Sequence, residues 1–149
     1  MIYKIVIAVV LALVAYMFYK NSVTPSYLGV NSGKFAEMPS SPNAVSSQTD
    51  MEEKFVEPLP FQDSDKAIQD INRVLSQMSG NEVVVSDGNY LHVVFTTPTM
   101  KYKDDLELYL DDSSKQLHYR SQSRVGYSDA GLNRARYDEF AKLYQKISR

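Results

Sequence analysis

The chain has 149 residues, a formal net charge of −2 and no cysteine. The near-neutral charge excludes a strongly basic nucleic-acid-binding protein, and we expect no nucleic acid among its partners. The absence of cysteine excludes disulfides, zinc–thiolate sites, iron–sulfur clusters and thiol nucleophiles. Because the chain has only two histidines, a His-rich metal centre is excluded as well, and we expect no metal and no cofactor.

The first 20 residues, MIYKIVIAVVLALVAYMFYK, predict a transmembrane anchor. Residues 5–19 are uncharged and mostly apolar, and they lie between Lys4 and Lys20, which can snorkel to the headgroups. A cleaved signal peptide is the alternative, but residues 16–20 lack the small side chains of a cleavage site. We therefore expect residues 1–20 to remain in the lipid bilayer as a single-pass anchor.

The short segment ahead of the anchor indicates on which side of the membrane the domain lies. Positive charges before and after the span are nearly balanced, so the charge bias favours neither orientation strongly. A short tail ahead of a single anchor commonly stays in the cytoplasm. We therefore expect a periplasmic or extracellular domain, with a membrane or envelope protein as a candidate partner.

Residues 21–62 are predicted to form a Pro/Ser-rich tether between the anchor and the domain. They contain five of the six prolines, and no apolar periodicity runs through them. The tether either carries the domain away from the bilayer or lies over the domain surface as an extended strap.

Residues 63–149 show the pattern of one small α+β domain. Apolar spacing predicts an amphipathic helix from Ser64, capped by Asp63 or Ser64 itself and ended by Gly80. A β-hairpin follows, with a two-residue turn at Asp87-Gly88. Two more alternating segments and a helix over residues 133–147 complete the order α-β-β-β-β-α. This order predicts a four-stranded antiparallel sheet with two helices on one face.

The stretch RSQSRVGYSDAGLNRAR, residues 120–136, concentrates four arginines and three serines. Strand alternation places Arg120 and Arg124 on one face, and the serines between them on the face expected to meet the core. Pairing of the arginines with the acidic third strand is the simpler explanation. Glu107 would face Arg120, or, if the pairing shifts by two residues, Asp105 would face Arg124. That explanation accounts less well for the serines.

A helix N-terminus at the end of this stretch favours an anion site instead. Asn133 is the expected N-cap, which would bring the first helix amides close to Arg134, Arg136 and Asp129. A helix N-terminus combined with arginines is suited to binding an anion.

Several segments of the chain resemble the domain-of-unknown-function 1499 family. They are Leu28-Gly29, the SPNAVSSQ stretch at 41–48, the acidic Asp104-Asp105 pair and the block at 120–136. The resemblance covers residues 28–149 and implies a bacterial, often membrane-associated protein, but it implies no activity.

One departure from the family pattern concerns cysteine. The family commonly has cysteines flanking the Ser-Pro-Asn stretch, where this chain has Met38 and Ala44. The resemblance therefore implies that thiol or disulfide chemistry is not essential to any function that this protein shares with its relatives.

The resemblance also links the tether to the arginine block, because both belong to the family pattern. We expect the two to meet in space, with the tether acting as a strap over the sheet. The candidate ligand-binding residues are then Arg120, Ser121, Ser123, Arg124, Ser128, Asp129, Asn133, Arg134, Arg136, Ser46, Ser47 and Gln48.

Three functions stay open at this point. The favoured one is a binding or scaffold module whose arginines hold an anionic group: a lipid headgroup, a phosphate or a partner's carboxylate. The second is a hydrolase-like enzyme with Ser46, Ser47 or Ser128 as nucleophile, Asp129 as acid or base and an arginine clamp. We assign no catalytic residue, because no motif surrounds either histidine. The third is a purely structural polar network.

Overall fold

The computed structural model describes residues 1–148, which form an N-terminal helix and an α+β domain. The helices are α1 (Ile2–Ser22), α2 (Ser64–Gln77) and α3 (Leu132–Ile147). The strands are β1 (Ala44–Ser46), β2 (Leu59–Pro60), β3 (Asn81–Asp87), β4 (Tyr90–Thr96), β5 (Lys103–Asp111) and β6 (Gln116–Ser123), and a short 3-10 helix spans Glu52–Lys54. The predicted α+β class is confirmed.

The helix α1 is long and apolar enough to cross a membrane, and none of its residues is buried. At ~1.5 Å per residue its length is close to the ~30 Å of a hydrocarbon core. It continues two residues past Lys20, because the Ser22 hydroxyl donates to the Tyr19 carbonyl at 2.7 Å and caps the last turn.

The sheet has six strands, so the predicted four-stranded sheet is wrong. Its order is β1-β6-β5-β4-β3, β2 also pairs with β6, and all pairings are antiparallel. The two additional strands, β1 and β2, come from the tether, which was expected to contain no regular elements. They are three and two residues long, too short for an alternating pattern, and they are defined by their hydrogen bonds to β6.

Helices α2 and α3 cover one face of the sheet, the helix face, and enclose the apolar core. Burying each large side chain there stabilises the fold by roughly 1.5–3 kcal/mol. The α2 helix begins as predicted, with the Asp63 carboxylate accepting the Lys66 amide at 2.7 Å, and it ends at Gln77 before reaching Gly80. Fully buried core residues include Leu106, Leu108, Leu110, Leu117, Tyr119, Phe140, Ile71 and Val74.

The β3–β4 turn lies one residue later than predicted. Asp87 still pairs with Tyr90, so the two turn residues are Gly88 and Asn89. Gly88 takes a positive φ of 56°, which a residue without a side chain adopts at little cost.

The opposite face of the sheet, here called the strap face, is covered by the tether. The Gly29 amide donates to Glu107 Oε1 at 2.7 Å, and the Phe35 ring packs edge-on against Tyr109 at 6.4 Å. This part of the tether therefore lies over the strap face of the sheet.

Candidate functional site

The β5–β6 hairpin distributes the predicted site residues over the two faces of the sheet. Because side chains alternate, Arg120 and Arg124 lie on the strap face, whereas Ser121 and Ser123 lie on the helix face. Glu107 is directly opposite Arg120, as predicted. A single ligand therefore cannot contact all four arginines of the block.

On the strap face, Arg124 binds Asp105 in a bidentate pair. Its Nε lies 2.8 Å from Oδ2 and one terminal nitrogen lies 2.7 Å from Oδ1. His92 Nε2 lies 2.8 Å from the same Oδ1. Burial raises the pKa of the Asp105 carboxyl, but the hydrogen bonds from Arg124 and His92 outweigh this and hold the pKa below its usual range. Asp105 is therefore a carboxylate that is fully engaged by its neighbours.

The second arginine of this face, Arg120, pairs with Glu107 at 2.8 Å. Both side chains are buried, and Glu107 Oε1 also accepts the Tyr90 hydroxyl at 2.9 Å. Burial, and then the adjacent Glu107 charge, raise the pKa of the Tyr90 hydroxyl, which stays protonated as a donor. The Tyr27 ring lies over the guanidinium, 5.0 Å away, so the tether is held directly on this ion pair.

On the helix face, Arg136 of α3 pairs with Asp104 of β5 at 2.6 Å. A second terminal nitrogen of Arg136 donates to Asn133 Oδ1 at 2.8 Å, and the guanidinium lies 4.5 Å above the Phe95 ring. The Asn133 side chain also bonds to Ser121 and Ser123. The two serines that looked misplaced in the core are therefore the hydrogen-bond partners of a buried asparagine.

The N-terminus of α3 is capped by Asp129, so the predicted cap at Asn133 is wrong. The Asp129 carboxylate accepts the backbone amide of Gly131 at 3.0 Å and that of Asn133 at 2.8 Å. Gly131 takes the N-cap position with φ 82°, and Ser128 accepts the Ala130 amide in the same turn. The negative charge expected at this helix end is supplied by the chain's own Asp129.

Of the three tether residues in the predicted site, Ser46 contacts the arginine block directly, Ser47 contacts β6 just before it, and Gln48 contacts the tether itself. Ser46 pairs with Arg120 in the β1–β6 ladder, and the Ser47 hydroxyl accepts the Tyr119 amide at 2.9 Å. The Gln48 side chain donates to the Gly33 carbonyl and accepts the Phe35 amide, both at 2.9 Å. The three residues fold the tether back along β6.

A serine–histidine contact is also present at this corner. The Ser47 hydroxyl lies 3.1 Å from His118 Nδ1, and burial lowers the pKa of His118, which favours the neutral imidazole as acceptor. Ser47 is buried, however, and no described residue hydrogen-bonds to the other ring nitrogen of His118. A catalytic dyad needs an accessible nucleophile and an oriented base, so this contact fits a structural role.

The remaining arginine, Arg134, lies apart from the other three. One terminal nitrogen donates to the backbone carbonyls of Glu53 and Phe55, both at 3.0 Å. It therefore fixes the short 3-10 helix of the tether against the start of α3.

The sequence prediction omitted the acidic half of the site. Asp104 was not included, although it alternates with Asp105 and so faces the helices. Asp105 and Glu107 were recognised as pairing partners only. The available signal was the position of Asp104, Asp105 and Glu107 beside the leucines of β5, because buried carboxylates require cationic partners.

A family model described as "Protein of unknown function (DUF1499)" matches residues 34–143. The matched region includes every strand of the sheet and all four arginines of the block at 120–136. No curated protein matches the chain.

Proposed function

This chain belongs to the DUF1499 family, and we propose that it is a membrane-anchored binding module with an anion site beside its anchor. The α1 helix holds it in the bilayer, and its domain lies outside the cytoplasm. The observation that carries the proposal is a cavity of about 300 Å³ between the end of α1 and Arg124.

The charge around this cavity distinguishes it from the cavities beside the other arginines. Lys20 and Arg124 line it together with Tyr19, Tyr27 and Gln122, and none of the described residues around it is acidic. By contrast, the cavity next to Arg136 contains Glu139, and the one next to Arg134 contains Glu53 and Asp129. Because Asp105 balances the charge of Arg124, the Lys20 ammonium supplies the excess positive charge that favours an anion in this cavity.

Arg124 keeps donor capacity on the side of the cavity. Asp105 occupies its Nε and one terminal nitrogen, and the other terminal nitrogen makes only a long contact of 3.3 Å with the Asn21 carbonyl. Lys20 is exposed and makes no ion pair with a described residue. A phosphate or carboxylate in the cavity would be bound by the Arg124 edge and the Lys20 ammonium.

A binding role is supported over catalysis by the state of the candidate groups. Arg120, Arg124 and Arg136 are each paired with a buried carboxylate, and Asp129 is engaged by two helix amides. Groups held in this way order a structure, whereas a nucleophile or base must be free to exchange a proton with substrate.

The anion site is tested with the full chain in detergent and inorganic phosphate as the probe. Phosphate should raise the Tm of the wild-type protein, and Lys20→Gln should lose at least half of that rise. Lys4→Gln, which removes a lysine from the other end of α1, is the matched control and should behave as wild type. An equal response to phosphate in all three proteins would overturn the proposed site.

The location of the domain is tested with a single engineered cysteine, because the chain has none of its own. Gln145→Cys lies on an exposed part of α3 and should react with a membrane-impermeant maleimide in intact spheroplasts. Tyr3→Cys should react only after lysis. The reverse pattern would place the domain in the cytoplasm.

A further inference from the structure

The end of α1 is hydrogen-bonded to one end of the sheet. The Asn21 side chain donates to the Lys101 carbonyl at 2.8 Å and accepts the Lys103 amide at 2.9 Å. These bonds connect the last turn of the anchor to the β4–β5 loop, residues 97–102. If α1 crosses the bilayer, this loop is held at the depth where the helix leaves the hydrocarbon.

The same end of the sheet exposes side chains suited to a membrane interface. Met100 in the β4–β5 loop is 57% exposed, and Tyr127 in the loop after β6 is 76% exposed. Ser123 pairs with Asp104 at the start of β5, so both loops project from one end of the sheet. Tyrosines at the water–lipid boundary are favoured, because the ring is apolar and the hydroxyl remains hydrated.

Several basic side chains lie where the anchor meets this end of the sheet. Lys20, Lys101 and Lys103 lie within one or two residues of the Asn21 contacts, and Arg124 lines the adjoining cavity. Lysines close to an anionic leaflet each contribute about 1 kcal/mol of attraction. The two acids of β5 at this end, Asp104 and Asp105, are buried in ion pairs. Asp129, in the loop after β6, is held by the amides of Gly131 and Asn133.

We propose that this end of the domain, formed by the β4–β5 loop and the loop after β6, rests on the leaflet that holds α1. Anionic lipid headgroups of that leaflet contact Lys101 and Lys103, and one of them occupies the cavity beside Arg124. The inference rests on the proposed function, since it names the anion that fills the proposed site. The domain is then fixed against the bilayer by its strap and does not swing on a free linker.

The test uses the absence of tryptophan from the chain, so that each introduced tryptophan is the only one. The full chain is reconstituted in nanodiscs of phosphatidylcholine with phosphatidylglycerol, with and without headgroup-proximal doxyl lipid. Met100→Trp and Tyr127→Trp report on the proposed contact. Ser114→Trp reports on the opposite end of the sheet, and Phe18→Trp on the anchor.

We expect fluorescence of Met100→Trp and Tyr127→Trp to be quenched about two-fold or more relative to Ser114→Trp. Adding Lys101→Glu to Tyr127→Trp should reduce that quenching in anionic discs and leave it unchanged in discs of phosphatidylcholine alone. Equal, low quenching at positions 100, 127 and 114, with strong quenching at position 18, would overturn the inference and leave the anchor intact. Absence of quenching at position 18 would instead overturn the membrane anchoring on which the proposed function depends.

If soluble phosphate raises the Tm but the lipid reporters stay unquenched, the anion site is retained and its ligand is a free anion. This outcome also overturns the leaflet contact. The two proposals therefore fail in distinguishable ways.

Discussion

The two faces of the β5–β6 hairpin contain the same chemistry in different surroundings. On the helix face, Arg136 and Asp104 join α3 to the sheet within the apolar core. On the strap face, Arg120 and Arg124 pair with carboxylates beneath a tether that has little regular structure. The comparison indicates that the helix-face network supports the whole fold, whereas the strap-face network mainly positions the segment between anchor and domain.

The largest effect should come from breaking the helix-face pair with Arg136→Met. This change leaves Asp104, which is 2% exposed, without its cation, and a buried carboxylate in that state costs about 3–5 kcal/mol. Urea unfolding of the full chain in micelles measures the loss in the free energy of unfolding. Lys142→Met, on an exposed position of α3, is the control, and a loss equal to that of the control would show that the pair is not structural.

A smaller and more local effect is expected on the strap face from Glu107→Gln. The amide leaves the charge of Arg120 uncompensated but still accepts a hydrogen bond, which offsets part of that penalty, so the net cost should be about 2 kcal/mol. Because the tether is attached through Gly29 and Glu107, trypsin should cleave faster at Lys34. Glu139→Gln serves as the control, and an unchanged cleavage rate at Lys34 would contradict the assigned role of this face.

Weaker again is the contribution of the aromatic contact on Arg120, tested by Tyr27→Leu. Loss of a partly exposed cation–π contact should cost about 0.5–1 kcal/mol. The Gly29 amide should exchange with deuterium faster, by the factor to which this loss of free energy corresponds, while the amides of α3 stay protected. Tyr127→Leu, which removes an exposed tyrosine elsewhere, should not change exchange at Gly29.

The smallest effect is a dependence of stability on pH through His118. Burial lowers the pKa of this histidine from its usual 6.5, so the folded state favours the neutral ring. The contribution of His118 to the free energy of unfolding is fully present above pH 6.5. It is lost as the pH falls towards the lower pKa of the folded state, because the unfolded chain binds the proton first. Between pH 7.5 and pH 5.5 the free energy of unfolding should fall further in the wild type than in His118→Gln. An equal fall in both proteins would show that His118 does not contribute to this pH dependence.

Much of this arrangement could be predicted from alternation along single strands. The turn position of the β5–β6 hairpin placed Glu107 opposite Arg120, and alternation placed Ser121 on the core side; both predictions are confirmed. Alternation does not predict which residue hydrogen-bonds to a core-facing serine. The partner of Ser121 is Asn133, in a helix whose position depends on the whole fold.

Other errors arose where long-range contacts decide local structure. The strand β1 exists because β6 has a free edge, and three residues carry no periodic signal. Asn133 is a good N-cap residue by type, but Asp129 and the left-handed Gly131 place the start of α3 earlier and turn the asparagine inward. The single anion site predicted for the block at 120–136 required Arg120 and Arg124 to meet Arg134 and Arg136, but α3 packs on the opposite face of the sheet.

The most direct test of the division between the two faces is hydrogen–deuterium exchange of the full chain, comparing Glu107→Gln with Arg136→Met. The account predicts faster exchange in Glu107→Gln for residues 23–35, with α2, α3 and the central strands unchanged. In Arg136→Met it predicts faster exchange throughout the domain. The same exchange pattern in both variants, whether local or global, would contradict the division.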